Sequence, residues 1–183
     1  HGKFRRQRQM CIRDSNKGAD FSYITGLTKL GIEKIPPLVG RGVLVDMAKY
    51  FDIISMEGGQ GITRKNIQEA AKEQNINFKK GDIILFHTGW TDAKLKSSPE
   101  EWGSTIPGIT NDAAVYIASL QPMAVGADTW GLGAVPPIAG DKVYYDHITL
   151  IKENGIYILE TMNTGKLAND NVSEFMFVLG QPK

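Results

Sequence analysis

The chain has 183 residues, 42% hydrophobic and 22% charged, enough for one domain with a sizeable core. A formal net charge of +1 gives no general pull toward nucleic acid or an anionic membrane, and no apolar run approaches the ~20 residues of a bilayer-spanning helix. The single cysteine, Cys11, excludes an intramolecular disulfide and a thiolate-rich metal site, and with no apolar h-region near the start it points to a reducing, cytoplasmic setting.

The first fifteen residues, HGKFRRQRQMCIRDS, have no period and no continuity with the rest of the chain. Their RRQRQMCIRDS part reads as translated sequencing adaptor, with a disordered basic tail as the alternative, and residues 1–15 are set apart from residues 17–183. Gly42-Val43-Leu44-Val45-Asp46-Met47 reads as a short buried strand, with Asp46 structural. Glu57 to Thr63, with three glycines, is a loop. Thr63 is placed to cap a helix running to about Asn75, with Ile67, Ala70 and Ala71 on one face. Lys80-Gly81-Asp82 turns into the strand Ile83–His87. Residues 90–108, broken by Pro99, Gly103 and Pro107, read as long and irregular. Thr110 then caps a helix with Ala113, Ala114, Ile117 and Leu120 as its stripe, ended by Gln121-Pro122. Met123–Ala127, Ile156–Glu160 and Phe175–Leu179 complete the strands. Alternating strands and helices imply an α/β fold, and the continuous apolar runs imply a sheet covered on both faces.

Chemistry-bearing residues concentrate between Val125 and Glu160. No glycine fingerprint for a dinucleotide, no phosphate loop and no nucleophile elbow occurs. His147 and Glu160 lie on adjacent elements around the turn Asn154-Gly155, and imidazole nitrogen with carboxylate oxygen suits zinc or manganese. Against this stand a simply hydrogen-bonded histidine and a strand-end glutamate facing water. Asp128 ends an apolar strand, where ligands of open α/β sheets collect. It reads either as a substrate or metal-shell contact or as a loop cap. His87, also at a strand end, reads as a rim histidine partnered from a neighbouring loop. Trp90, Trp102 and Trp130 lie in loops and read as a lid or a wall for a flat substrate.

Taken in order, six phrases resemble the metal-dependent cyclase family, which includes bacterial kynurenine formamidases and isatin hydrolases. They are GIEKIPPLVGRGVLVDMA (31–48), GDIILFHTGW (81–90), PGIT (107–110), VGADTWG (125–131), HITLIKENGIYILE (147–160) and LANDNVSEFMFVL (167–179). The resemblance implies an α/β single domain with a mixed β-sheet flanked by helices, a homo-oligomer, and a site of one or two zinc or manganese ions. His147 and Glu160 match the family's later metal ligands, and Asp128 its strand-end aspartate, with Trp130 beside it as a contact for an aryl ring. Gly133 stands where many members carry an acidic residue. The family's His-x-x-x-His-x-Asp-x-Pro-x-His segment, which holds the general-base histidine, has no counterpart here. The expectation is a metal-dependent hydrolase of an activated aryl amide or lactam such as N-formylkynurenine, in a domain incomplete at both ends and impaired in this chain. A non-catalytic small-molecule binding or assembly module is the alternative.

Overall fold

Leu38–Asp46, apolar and β-branched through Val43-Leu44-Val45, forms β3, the longest strand among the described residues of the computed structural model, which describes residues 22–23, 26–27 and 35–180. The adaptor-like segment 1–15 lies outside the described residues. Ahead of β3, the two-residue strands β1 (Ser22–Tyr23) and β2 (Gly26–Leu27) pair antiparallel. After it come α1 (Met47–Tyr50), β4 (Gly61–Ile62), α2 (Arg64–Glu73), β5 (Ile83–His87), α3 (Trp90–Lys94), α4 (Pro99–Ser104), β6 (Gly108–Ile109) and α5 (Asn111–Leu120). The chain continues through β7 (Ala124–Ala127), α6 (Tyr145–His147), a π-helical turn (Ile148–Glu153), β8 (Tyr157–Leu159), α7 (Gly165–Asn169) and β9 (Glu174–Leu179).

The main sheet has the order β8-β7-β5-β3-β9. Neighbours from β3 to β8 run parallel, and β9 lies antiparallel on β3, with Leu38 opposite Leu179 and Gly42 opposite Phe175. It is therefore a mixed sheet flanked by helices. Alternate residues of each strand serve two cores, as the pleat requires. Val43, Val45, Ile84, Phe86 and Val125 pack with Ile67, Ala70 and Ala71 of α2, Ala113 and Ile117 of α5, and Leu150 of the π turn. On the other face Leu44, Ile83, Leu85, Ala124 and Phe177 meet Leu167, Ala168 and Phe175.

Local chemistry sets the element ends. The Thr63 hydroxyl accepts from the Asn66 N–H, and the Asn66 side chain accepts from the Thr63 N–H, a reciprocal cap on α2. Thr110 stands at the start of α5, but its hydroxyl is taken by the Asp112 carboxylate instead of a helix N–H. Asp46 accepts from the Lys49 N–H and starts α1, so Met47 is helical and not the last residue of the strand. Residues 90–108 are not irregular: they hold the short helices α3 and α4, the second begun by Pro99 in its first turn. Within β3, Arg41 ties neighbouring strands together, its guanidinium donating to buried Asp82 and to Glu174. Among the described residues no helix is long and apolar enough to cross a membrane.

Candidate functional site

In a parallel sheet the carboxyl ends of all strands meet at one edge. Here that edge carries His87 at the end of β5, Asp128 just past β7 and Glu160 just past β8. Its residues fall into two groups.

The first group is buried. The Asp128 carboxylate accepts from both the backbone N–H and the hydroxyl of Thr88, at 2.8 and 2.7 Å. Its second oxygen, Oδ2, has no hydrogen-bond partner among the described residues and lies 4.0 Å from His87 Nδ1. Burial pushes the Asp128 carboxyl above its ordinary range, against the two Thr88 bonds and the neighbouring histidine. His87 is buried as well, not on a rim, and its Nδ1 sits 2.8 Å from the hydroxyl of Thr164, on the loop before α7. Asp128 and Thr164 both face the same ring nitrogen. A relay from carboxylate through imidazole to nucleophile needs them on opposite nitrogens, so this is not a Ser-His-Asp-type triad. The Asp128 backbone carbonyl accepts from Thr91 Oγ1, and the same hydroxyl accepts from the indole N–H of Trp102. Trp130 donates from its indole to the Trp102 carbonyl at 2.6 Å. Trp90, by contrast, is wholly buried in the core and is neither lid nor wall.

The second group centres on His147. Tyr144 adopts a left-handed backbone conformation (φ 57°) and turns the chain into α6, and His147 is the residue from which the π-helical turn starts. Such turns widen the helix and recur at functional sites. The ring of Tyr144, itself exposed, meets the His147 ring edge-on at 5.7 Å. His147 Nε2 lies 3.6 Å from Glu160 Oε1, and Nδ1 lies 3.3 Å from Asp146 Oδ2. Glu160, read in the sequence as the last residue of its strand, lies one residue past the end of β8 and is 38% exposed. Asp146 is buried, and its carboxylate rests against the bare Cα of Gly133, where a Cβ would come within 3.2 Å of Oδ2. The two carboxylates, Asp146 foremost and Glu160 second, raise the His147 pKa from 6.5 to about 9, with burial opposing them.

The structure thus brings His147 and Glu160 together and adds Asp146, which sequence reasoning misses. The Asp-His dipeptide is its only signal. Asp128 is placed with Thr88 and His87, whereas His147 is paired with Asp146 and Glu160.

The donor set can be tested against a metal ion. Two ligand atoms about 2.1 Å from one tetrahedral ion stand ~3.4 Å apart. The 3.6 Å between Nε2 and Oε1 is close to that spacing and too long for a good hydrogen bond. The spacing is one that two ligands of a divalent ion would have. Among the described residues no group of three or more His, Cys, Asp or Glu is arranged to hold one.

Residues 18–134 match the Cyclase family model. The chain belongs to the cyclase family. A crystal structure of a novel cyclase is 30% identical, with a TM-score of 0.73 over 86% of this chain and 53% of that one. The chain therefore spans about half the length of this cyclase. Isatin hydrolase A from Ralstonia solanacearum has the same fold, with a TM-score of 0.62 and 20% identity over 87% of this chain and 58% of its own. A structure described as a potential metal-dependent hydrolase with cyclase activity gives a TM-score of 0.51 and 23% identity over 73% of this chain and 54% of its own. None of the curated proteins matches this cyclase-family chain.

Proposed function

We propose that this chain carries part of the site of a metal-dependent hydrolase acting on an activated aryl amide or lactam, the class to which N-formylkynurenine belongs. The observation that supports it is the 3.6 Å approach of His147 Nε2 to Glu160 Oε1 at the carboxyl edge of the sheet. His147 and Glu160 would hold a zinc or manganese ion. When bound, such an ion supplies Lewis acidity toward a carbonyl oxygen and a water nucleophile at neutral pH. Two protein ligands hold an ion weakly, since a catalytic zinc site normally has three.

The remaining residues shape and orient. Tyr144 offers an exposed ring beside His147, suited to an aryl group. Trp130, anchored through Trp102, belongs to the loop that lays Gly133 against Asp146 and offers a second aromatic wall. Asp128 acts at one remove: it pins Thr88 and so the β5–α3 turn.

The test is metal binding together with hydrolysis of N-formylkynurenine and isatin, on this chain and on His147→Ala and Glu160→Ala. Metal binding that both substitutions weaken supports the site, and hydrolysis above a metal-only blank supports the activity. Metal affinity indifferent to both would sink the reading and leave a non-catalytic binding module in its place.

A further inference from the structure

Asp146 Oδ2 and His147 Nδ1 are both buried, and neither makes a hydrogen bond among the described residues. They face each other at 3.3 Å. A buried polar atom without a partner is costly, and these two stand within reach of each other. The carboxylate lies where a side chain at position 133 would otherwise stand, so Gly133 leaves it its place. The opposite ring nitrogen, Nε2, is the one that faces Glu160. A neutral imidazole carries one proton, so whichever nitrogen holds it leaves the other with a free lone pair.

We infer that Asp146 is the positioning residue of the site: it holds the proton of His147 on Nδ1, presents the Nε2 lone pair toward Glu160, and depends on the missing side chain at Gly133 for its room. The inference rests on the proposed metal role of His147 and Glu160 but concerns a different residue. A carboxylate on a histidine's outer nitrogen fixes the ring and its tautomer, and its loss typically weakens metal binding by ~10–100-fold. The Cβ direction at Gly133 points at the Asp146 carboxylate, with Oδ2, Cγ and Oδ1 all 3.2–3.4 Å away. A carboxylate attached at position 133 would therefore reach nearly the same place.

The experiment uses Zn²⁺ alone as the probe, by competition with a chromophoric chelator, on the wild-type chain, Asp146→Asn, Asp146→Ala and the double variant Asp146→Ala/Gly133→Asp. His147→Ala and Glu160→Ala are the controls, and thermal melting confirms that each variant is folded. Asp146→Asn is expected to bind about tenfold to a hundredfold more weakly, and the double variant to recover part of the loss of Asp146→Ala. In the metal-free protein at about pH 10, where the imidazole is neutral, ¹⁵N–¹H spectra should show Nδ1–H in the wild type and a shift toward Nε2–H in Asp146→Ala. Should Asp146→Ala be too unstable, Asp146→Asn carries both readouts. Zn²⁺ affinity and tautomer unchanged in Asp146→Asn, while both controls lose binding, would overturn the inference and leave the metal reading standing. Controls that bind as well as wild type would overturn the metal reading, and the tautomer would then decide the role of Asp146 alone.

Discussion

His147 makes the stability of the metal-free protein depend on pH in a predictable direction. The folded protein holds its proton up to about pH 9, whereas the unfolded chain releases it near 6.5. Stabilisation from this residue is therefore complete below about pH 6.5 and lost as pH rises through about 9. The gap between 6.5 and 9, at about 1.4 kcal/mol per pKa unit, corresponds to about 3 kcal/mol at face value. The side chain is 36% exposed, so solvent screening reduces the figure to about 1–2 kcal/mol. Urea unfolding of wild type and His147→Gln at several values between about pH 6 and about pH 10 reads it directly, because other titrating groups cancel in the difference. The wild-type advantage should shrink by that amount across the range. Asp146→Asn should remove more of it than Glu160→Gln, since Asp146 is the larger cause. An advantage that stays flat with pH would refute the ion-pair geometry around His147.

Other expectations concern the frame that holds the site. Phe86, in β5, is fully buried, so Phe86→Ala should cost about 3–5 kcal/mol in chemical unfolding. Gly126 faces β8 so closely that a Cβ would lie 2.3 Å from the Leu159 carbonyl oxygen. Gly126→Ala should therefore cost about 1–3 kcal/mol and, by displacing β8, move Glu160 from His147, seen as a lower His147 pKa by NMR. Gly103, with nothing within 4 Å of its Cβ direction, is the control: Gly103→Ala in α4 should be neutral or stabilising by about 0.5–1 kcal/mol. Asp82 is buried and accepts from Arg41 at 2.8 Å, so Asp82→Ala should cost about 3 kcal/mol, with little response to added salt.

The order of the main strands and helices is legible in the sequence because it depends on local information. Ile83–His87 is apolar without interruption, Thr63 precedes a helical stripe, and Gln121-Pro122 must end one. Four of the six phrases, those up to Gly131, fall within the residues 18–134 that the family model matches. The Ser98-Pro99-Glu100-Glu101 start of α4 is visible too, but the surrounding glycines and prolines mask it. Other features depend on partners distant in the chain. β3 extends back to Leu38 because Phe175–Leu179 pairs with it, and nothing within Leu38–Arg41 announces that antiparallel neighbour. His147 and Glu160 can be named from their types and spacing, but the 3.6 Å between them is set by the π-helical turn and by β8 docking on Gly126. Asp146 escapes sequence reasoning because its meaning comes from burial against Gly133, a contact between α6 and the segment after β7 that no periodicity encodes. Residue order alone thus dictates which elements form and which side chains have the chemistry, since both follow from neighbours along the chain. Which carboxylate faces which nitrogen is settled by packing, because it depends on distances between segments that local propensity does not reach.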